Sequence, residues 1–328
     1  MKAEDIKTVA VIGAGTMGTG IVQSFAQAGF MVYMFGNVDK EKLARHMAQV
    51  EANLKLFQEY GLLKEDIPTI KSRIHPVLMK DLDEAVKNCD FVLETVPENL
   101  DLKKQIFAQL DSVREDIILA SNTSSFTIPT IVEGLRHPER IIGVHYFNPA
   151  HIMPLVELHY SPQTRQDVIA TTQALIAKTG KKSILIKKFI PGFVVNRLQA
   201  ALGREAMYLV SEGVISPQDL DIASKATIGF RLAWIGNFET ADMIGLDTQL
   251  RVGNFIFPLL DNSTKQPQWY VDMVNRGELG IKSGKGYYDY TGRNTSEVLD
   301  ELNRRLLPQL ALFNKMQEQK KQRKTNKK

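Results

Sequence analysis

The residues that suggest chemistry first are three glycines. In Val9–Gly18 (VAVIGAGTMG) a run of β-favouring apolar residues stops at Gly13, Gly15 and Gly18, and GIVQSFAQA then takes up a helical apolar spacing. Strand, tight turn and helix in that order make a phosphate cradle. Gly13 permits the turn, Gly15 lets a pyrophosphate approach the main chain, and Gly18 lets helix pack on strand. The free N–H groups and positive dipole end of the new helix, opening at Thr16 and Met17, then face the phosphates. A dinucleotide is the expected ligand, and a second strand, Met31–Phe35, follows at the right remove. An acid should end that strand if NAD is bound, because a carboxylate there accepts from the adenosine ribose. Gly36 and Asn37 stand there instead, with Asp39 the nearest acid. Asn37 can bond a ribose hydroxyl neutrally. NAD remains the expected cofactor, and NADP stays open because no carboxylate repels a 2′-phosphate.

The elements that must position such a ligand follow in alternation. From Asp39 to Tyr60, Leu43, Met47, Val50, Leu54 and Phe57 recur every three or four residues, which predicts a helix stopped at Gly61. Strands are predicted at Cys89–Val96, Asp116–Asn122, Ile141–Pro149, Leu155–Leu158 and Ser183–Ile186, with helical stretches such as DLKKQIFAQLD and DVIATTQALIAKTG between several of them. This alternation predicts an α/β fold with a doubly wound, mainly parallel Rossmann-type sheet, whose ligands sit beyond the carboxyl ends of the strands. The polar residues at those ends are therefore the candidates: Glu98 and Asn99, Ser121 to Ser125, and His145 to Asn148. Past Lys188 the pattern turns helical, with Ser216-Pro217 a typical helix start. The predicted division is a dinucleotide-binding domain over 1–188 with a helical insertion at about 39–70, an all-helical substrate and dimerisation domain over 189–314, and a basic, disordered tail over 315–328.

Composition narrows the class. At 328 residues two domains are expected, and 44% apolar with 24% charged residues is ordinary for a globular protein. Residues 320–328 carry six positive charges of a chain at +4, so the body, at +4 less 6, is nearly neutral and gives no sign of a nucleic-acid or membrane partner. No apolar run is long enough to span a bilayer, MKAEDIK lacks the apolar core of a signal peptide, and Cys89 is the sole cysteine. A cytoplasmic location is expected. His145, His151 and His159 fit neither a helical metal pair nor a zinc spacing, so no metal site is predicted.

Taken together, GAGTMGTGI, PENLDLKKQIF, SNTSS, HYFNP, PLVEL, PGFVVNRL and GKGYYDY resemble the L-3-hydroxyacyl-CoA dehydrogenase family, in order and over nearly the whole chain. The resemblance implies that His145 in HYFNP is the catalytic base and Glu157 in PLVEL its partner carboxylate. It implies that Ser124 in SNTSS and Asn196 in PGFVVNR hold the substrate oxygen, and that Glu98, Lys103 and Asn148 line the nicotinamide end. The set makes physical sense. Oxidising a secondary alcohol by hydride loss requires removal of the hydroxyl proton, for which an imidazole, with an unperturbed pKa of about 6.5, is suited. Alone, a histidine ending an apolar strand is more often structural, and Ser124 could cap a helix; the roles rest on the resemblance. Two departures stand out: Gly36 at the expected acid, and Pro154, where family members acting on acyl-CoA commonly carry lysine. PLVE resembles a branch that includes carnitine dehydrogenase and lambda-crystallin. The implied activity is interconversion of a short L-3-hydroxyacyl-CoA and its 3-ketoacyl-CoA with NAD(H), by a homodimer. A free 3-hydroxy acid or carnitine as substrate is the alternative, and a non-catalytic cofactor-binding protein a third reading.

Overall fold

The computed structural model describes residues 2–36 and 39–325, so Asn37 lies outside the described residues. Eight strands form one sheet: β1 (Thr8–Ile12), β2 (Met31–Gly36), β3 (Ile74–Leu78), β4 (Phe91–Glu94), β5 (Ile118–Ser121), β6 (Ile141–Tyr146), β7 (Leu155–Tyr160) and β8 (Lys182–Ile186). Their order is β3-β2-β1-β4-β5-β6-β7-β8. All neighbours pair in parallel except β6 with β7. Chain order reverses between β1 and β4, the crevice where ligands of such sheets bind.

Both faces of the sheet are covered, so its strands read as nearly unbroken apolar runs. Val9, Val11, Val32, Met34, Phe91 and Leu93 face α1 (Thr16–Gln27) and α2 (Lys40–Glu59), while Ala10, Ile12, Val92 and Leu119 pack with Phe107 and Leu110 of the helix Leu100–Val113. The spacing read for α2 is that of its buried face, and Gly61, at φ 65°, follows its end. Asp39 caps α2, its carboxylate accepting from Lys42 N at 2.6 Å. That acid is thereby engaged as a helix cap. Cys89 is buried and its thiol is pushed up to about 12 by burial, as suits a packing residue.

Beyond α2 and the helix Ile67–Ser72, β3 is a strand the sequence does not predict; it extends the sheet, with Pro76 in its middle opposite Met34. Proline is tolerated there because β3 is an edge strand with no further neighbour to receive its missing N–H. The chain forms two compact units, residues 1–193 with 300–328, and residues 194–299. The first runs to Phe193, whose ring is fully buried against His145 and His159. Finally, the C-terminal helix spans Thr295–Thr325, so the stretch from 315 to 325 is helical where composition predicts disorder. Lys, Gln, Arg, Met and Glu are good helix formers, and extending an existing helix avoids the nucleation cost. This helix returns to the first unit, burying Leu307 and Leu310 with Leu56, Phe57 and Ile152, and Arg304 pairs with Glu59.

The second unit is helical, opening with Val195–Ser211. Ser216 caps the next helix by accepting from Asp219 N, as its place before Pro217 predicts. Among the described residues no helix is long and apolar enough to cross a membrane.

Candidate active site

The glycine turn between β1 and α1 has the form its spacing predicts, with a separate reason for each glycine. Gly13 has φ 111°, and a Cβ on it would lie 2.7 Å from the Thr95 carbonyl oxygen. A Cβ on Gly18 would come within 1.8 Å of the Gly13 carbonyl. Gly15 has nothing within 4 Å, so its face is open, and as the residue before α1 it offers no side chain to the helix's first N–H groups. Exposed Thr16 and half-buried Met17 open the helix. Such an open, donor-rich turn fits a dinucleotide pyrophosphate. Two substitutions should separate folding from binding. Gly15→Ala is expected to leave the melting temperature unchanged and weaken NAD binding roughly tenfold or more. Gly18→Ala must displace backbone, so it should lower the melting temperature as well. Thermal melts with NAD titrations check both.

Antiparallel pairing of β6 and β7 sets His145 directly opposite Glu157, so their side chains leave the same face of the sheet. His145 Nδ1 and Glu157 Oε2 are 2.9 Å apart, with His145 5% and Glu157 0% exposed. A proton on Nδ1 shared with the carboxylate leaves Nε2 with its lone pair. The rings of Phe147 and Phe193 stand edge-on to the imidazole at 4.7 and 5.2 Å. Phe193 holds this place with φ 51°, a strained value for a bulky residue.

One turn of the pleat further along β7, His159 lies opposite Gly143, and its ring fills the space a side chain there would need. Its Nε2 is buried without a hydrogen-bond partner, and it stays neutral: burial, then proximity to His145, outweigh Glu157 and push it down to about 4. His151 is also pushed down to about 4, by burial and then by Lys181. In the unfolded chain both take up protons near their ordinary 6.5, so the folded state binds fewer protons between about 4 and 6.5. Stability contributed by these neutral imidazoles is present above pH 6.5 and is lost as pH falls toward 4, at a cost on the order of 3 kcal/mol each. Denaturant melts at pH 7 and pH 4.5 should show the loss, and a His159→Leu variant should show less of it.

The remaining candidates gather beyond β4 and β5. Glu98 accepts from the Thr123 hydroxyl, from Ser124 N at 3.0 Å and from Ser125 N at 2.8 Å. Burial raises the Glu98 carboxyl, but the Thr123 hydroxyl, Lys103 and Ser125 N outweigh it and hold the group below its ordinary value. Lys103 is 1% exposed, and its ammonium lies 2.8 Å from Glu94 and 3.3 Å from Glu98. Asn122 accepts from Tyr146 N at 2.8 Å, tying the SNTSS loop to β6 beside His145. Asn148 is exposed in the loop after β6. Thus His145 and Glu157 are brought together, Glu98, Lys103 and Ser124 form a second group, and Asn196 lies in the second unit, near the start of its first helix.

Three residues of these clusters escaped sequence reasoning. Glu94, fully buried, reads in the sequence as part of an apolar strand, although a carboxylate after FVL needs a partner if it faces inward. His159 and Phe193 carry no signal of their own, since a ring stacked across strands is set by tertiary packing.

The domain model described as 3-hydroxyacyl-CoA dehydrogenase, NAD binding domain, matches residues 8–189, and that described as 3-hydroxyacyl-CoA dehydrogenase, C-terminal domain, matches residues 192–290. The chain is 34% identical over 304 residues to 5-formyl-3-hydroxy-2-methylpyridine 4-carboxylate 5-dehydrogenase of Mesorhizobium japonicum, covering 92% of this chain and 96% of that one. It is 36% identical over 288 residues to a probable 3-hydroxybutyryl-CoA dehydrogenase of Bacillus subtilis, covering 87% and 98%. A solved structure of a 5-formyl-3-hydroxy-2-methylpyridine 4-carboxylic acid 5-dehydrogenase, described as an NAD+-dependent dismutase, superposes with a TM-score of 0.83 at 33% identity over 92% of this chain and 97% of that one. The (S)-3-hydroxybutyryl-CoA dehydrogenase PaaH1 of Ralstonia eutropha gives 0.70 at 36% identity over 87% and 99%. With both domain models matched in sequence, the chain belongs to the 3-hydroxyacyl-CoA dehydrogenase family of NAD-dependent oxidoreductases.

Proposed function

We propose that the chain interconverts a 3-hydroxyacyl compound and its 3-keto form, with a short L-3-hydroxyacyl-CoA as substrate and His145 as the general base and acid. The observation that carries this reading is the 2.9 Å contact between His145 Nδ1 and Glu157 in a buried setting. His145 Nε2 takes the hydroxyl proton in the oxidising direction and returns it in the reducing one. Glu157 fixes the tautomer and stabilises the imidazolium. Ser124, on a loop braced by Glu98, donates to the substrate oxygen; Glu98, Lys103 and Asn148 line the nicotinamide end. NAD, when bound at the glycine turn, supplies the hydride chemistry. For Asn196 the proposal rests on its motif. A second copy of the chain covers the helical unit, which leaves Phe238, Phe255 and Phe257 largely exposed.

A free acid is the second reading, favoured by Pro154 and by the likeness to the pyridine carboxylate dehydrogenase over 92% of this chain. Steady-state assays with NADH that compare acetoacetyl-CoA, acetoacetate and an aromatic hydroxymethyl or formyl carboxylate with its cofactor partner decide between them. A higher kcat/KM on the thioester supports the first reading, and turnover of free acids alone removes it.

The nucleotide end gives a further expectation. A Cβ on Gly36 would meet Leu43 Cδ2 at 2.5 Å, so leucine fills the space an acidic side chain would cross. Gly36→Asp combined with Leu43→Ala should shift the NAD:NADP preference toward NAD by roughly tenfold through repulsion of the 2′-phosphate. An unaltered ratio of kcat/KM values would show that the end of β2 does not face the ribose.

A further inference from the structure

Beneath Glu98 lies a buried ionic cluster that the proposed mechanism leaves unused. Glu94 ends β4 with no exposed surface, and every neighbour it bonds is a donor. Its Oε1 accepts from Lys103 Nζ at 2.8 Å and from Val96 N at 2.7 Å. Its Oε2 accepts from the Ser121 hydroxyl at 2.7 Å. Thr123 N donates to the same Ser121 oxygen, at 3.3 Å. Burial raises the Glu94 carboxyl, while Lys103, Ser121 and Val96, three donors converging on its two oxygens, pull the other way. The arrangement is that of a carboxylate.

Lys103 is thus shared by two carboxylates, and the shares are unequal. Glu94 is the nearer, at 2.8 Å against 3.3 Å, and lies where solvent does not weaken the attraction. The side chain of Glu98 is 33% exposed, and its other bonds come from neutral donors. One ammonium and two carboxylates leave one negative charge, and it falls on Glu98. The cluster also adjoins the glycine turn, because Gly13 abuts the carbonyl of Thr95, the residue after Glu94.

We propose that Glu94 is a positioning residue that draws the Lys103 ammonium toward itself, so that the group keeps a net negative charge at Glu98 and the site favours the cationic oxidised nicotinamide over the neutral reduced one. This rests on the reading of Glu98 as lining the nicotinamide end. A charge that acts on one redox state of the cofactor changes the ratio of two affinities. A role in folding alone would change both together.

The test is titration of the full-length protein with NAD+ and with NADH, each variant also being melted. Glu94→Gln frees the ammonium for Glu98 and should raise Kd(NAD+)/Kd(NADH) roughly fivefold. Glu98→Gln should raise it equally, and Glu94→Asp should keep the wild-type ratio even if both affinities fall. If Glu98→Gln moves the ratio and Glu94→Gln does not, the proposal is overturned and the reading of Glu98 survives. If neither moves it, the placement of Glu98 at the nicotinamide fails, and the proposal with it. Should Glu94→Gln not fold, Glu94→Gln/Lys103→Gln, which removes the ammonium together with its partner, decides. An unchanged ratio supports the assignment of the ammonium to Glu94, and a several-fold selective tightening of NAD+ overturns it.

Discussion

Replacement of His145 by alanine is expected to lower kcat by ~10²–10⁴, the usual contribution of a positioned general acid or base, with the Kd for NAD within about twofold of wild type. The separation follows from the architecture. The glycine turn is built by β1 and α1, whereas His145 is placed by the pairing of β6 with β7. Removing the imidazole leaves Glu157 buried with a lost partner, so some loss of stability accompanies the loss of rate, and a melt recorded with the kinetics keeps the two apart. Because a general base acts in the transition state and not in substrate binding, the fall should appear in kcat and in kcat/KM alike. A variant that retained wild-type kcat in both directions would take His145 out of the mechanism.

What could be read from the chain in advance divides along the range of the interactions. The glycine turn was legible because its requirements are backbone requirements carried by adjacent residues, and the strand and helix around it are long apolar patterns. The pairing of His145 with Glu157 was reached through motif resemblance, yet it also has a physical signature: two polar residues in apolar strands that fall opposite each other once the strands pair. β3 was hidden by Pro76, which in a central strand would exclude the assignment and at an edge does not. Glu94 and Lys103 were legible as residue types, but that each is the other's buried partner depends on the packing of the helix Leu100–Val113 against the sheet. The end of the C-terminal helix, from 315 to 325, reads as disordered from its charge density, whereas it extends a helix anchored by Leu307 and Leu310, whose partners lie some 150 to 250 residues earlier in the chain. In each miss the decisive contact is remote in sequence.

Glu157→Gln tests the second half of the dyad and carries the other large expected effect. The carboxylate at 2.9 Å from Nδ1 does two things: it selects the tautomer that leaves Nε2 unprotonated, and it stabilises the charge the ring acquires when it takes the substrate proton. A carboxamide of nearly the same shape preserves the packing but offers either an N–H to the ring, which reverses the tautomer, or a neutral oxygen, which does not stabilise the imidazolium. The expected fall in kcat is about 10²-fold or more, with NAD affinity unchanged. The informative measurement is the double variant. If Glu157 acts only through His145, then once the ring is gone the acid has nothing to orient, and His145→Ala/Glu157→Gln should be no slower than His145→Ala alone. Multiplicative loss of rate in the double variant would instead show that Glu157 meets the substrate or the cofactor by a route of its own.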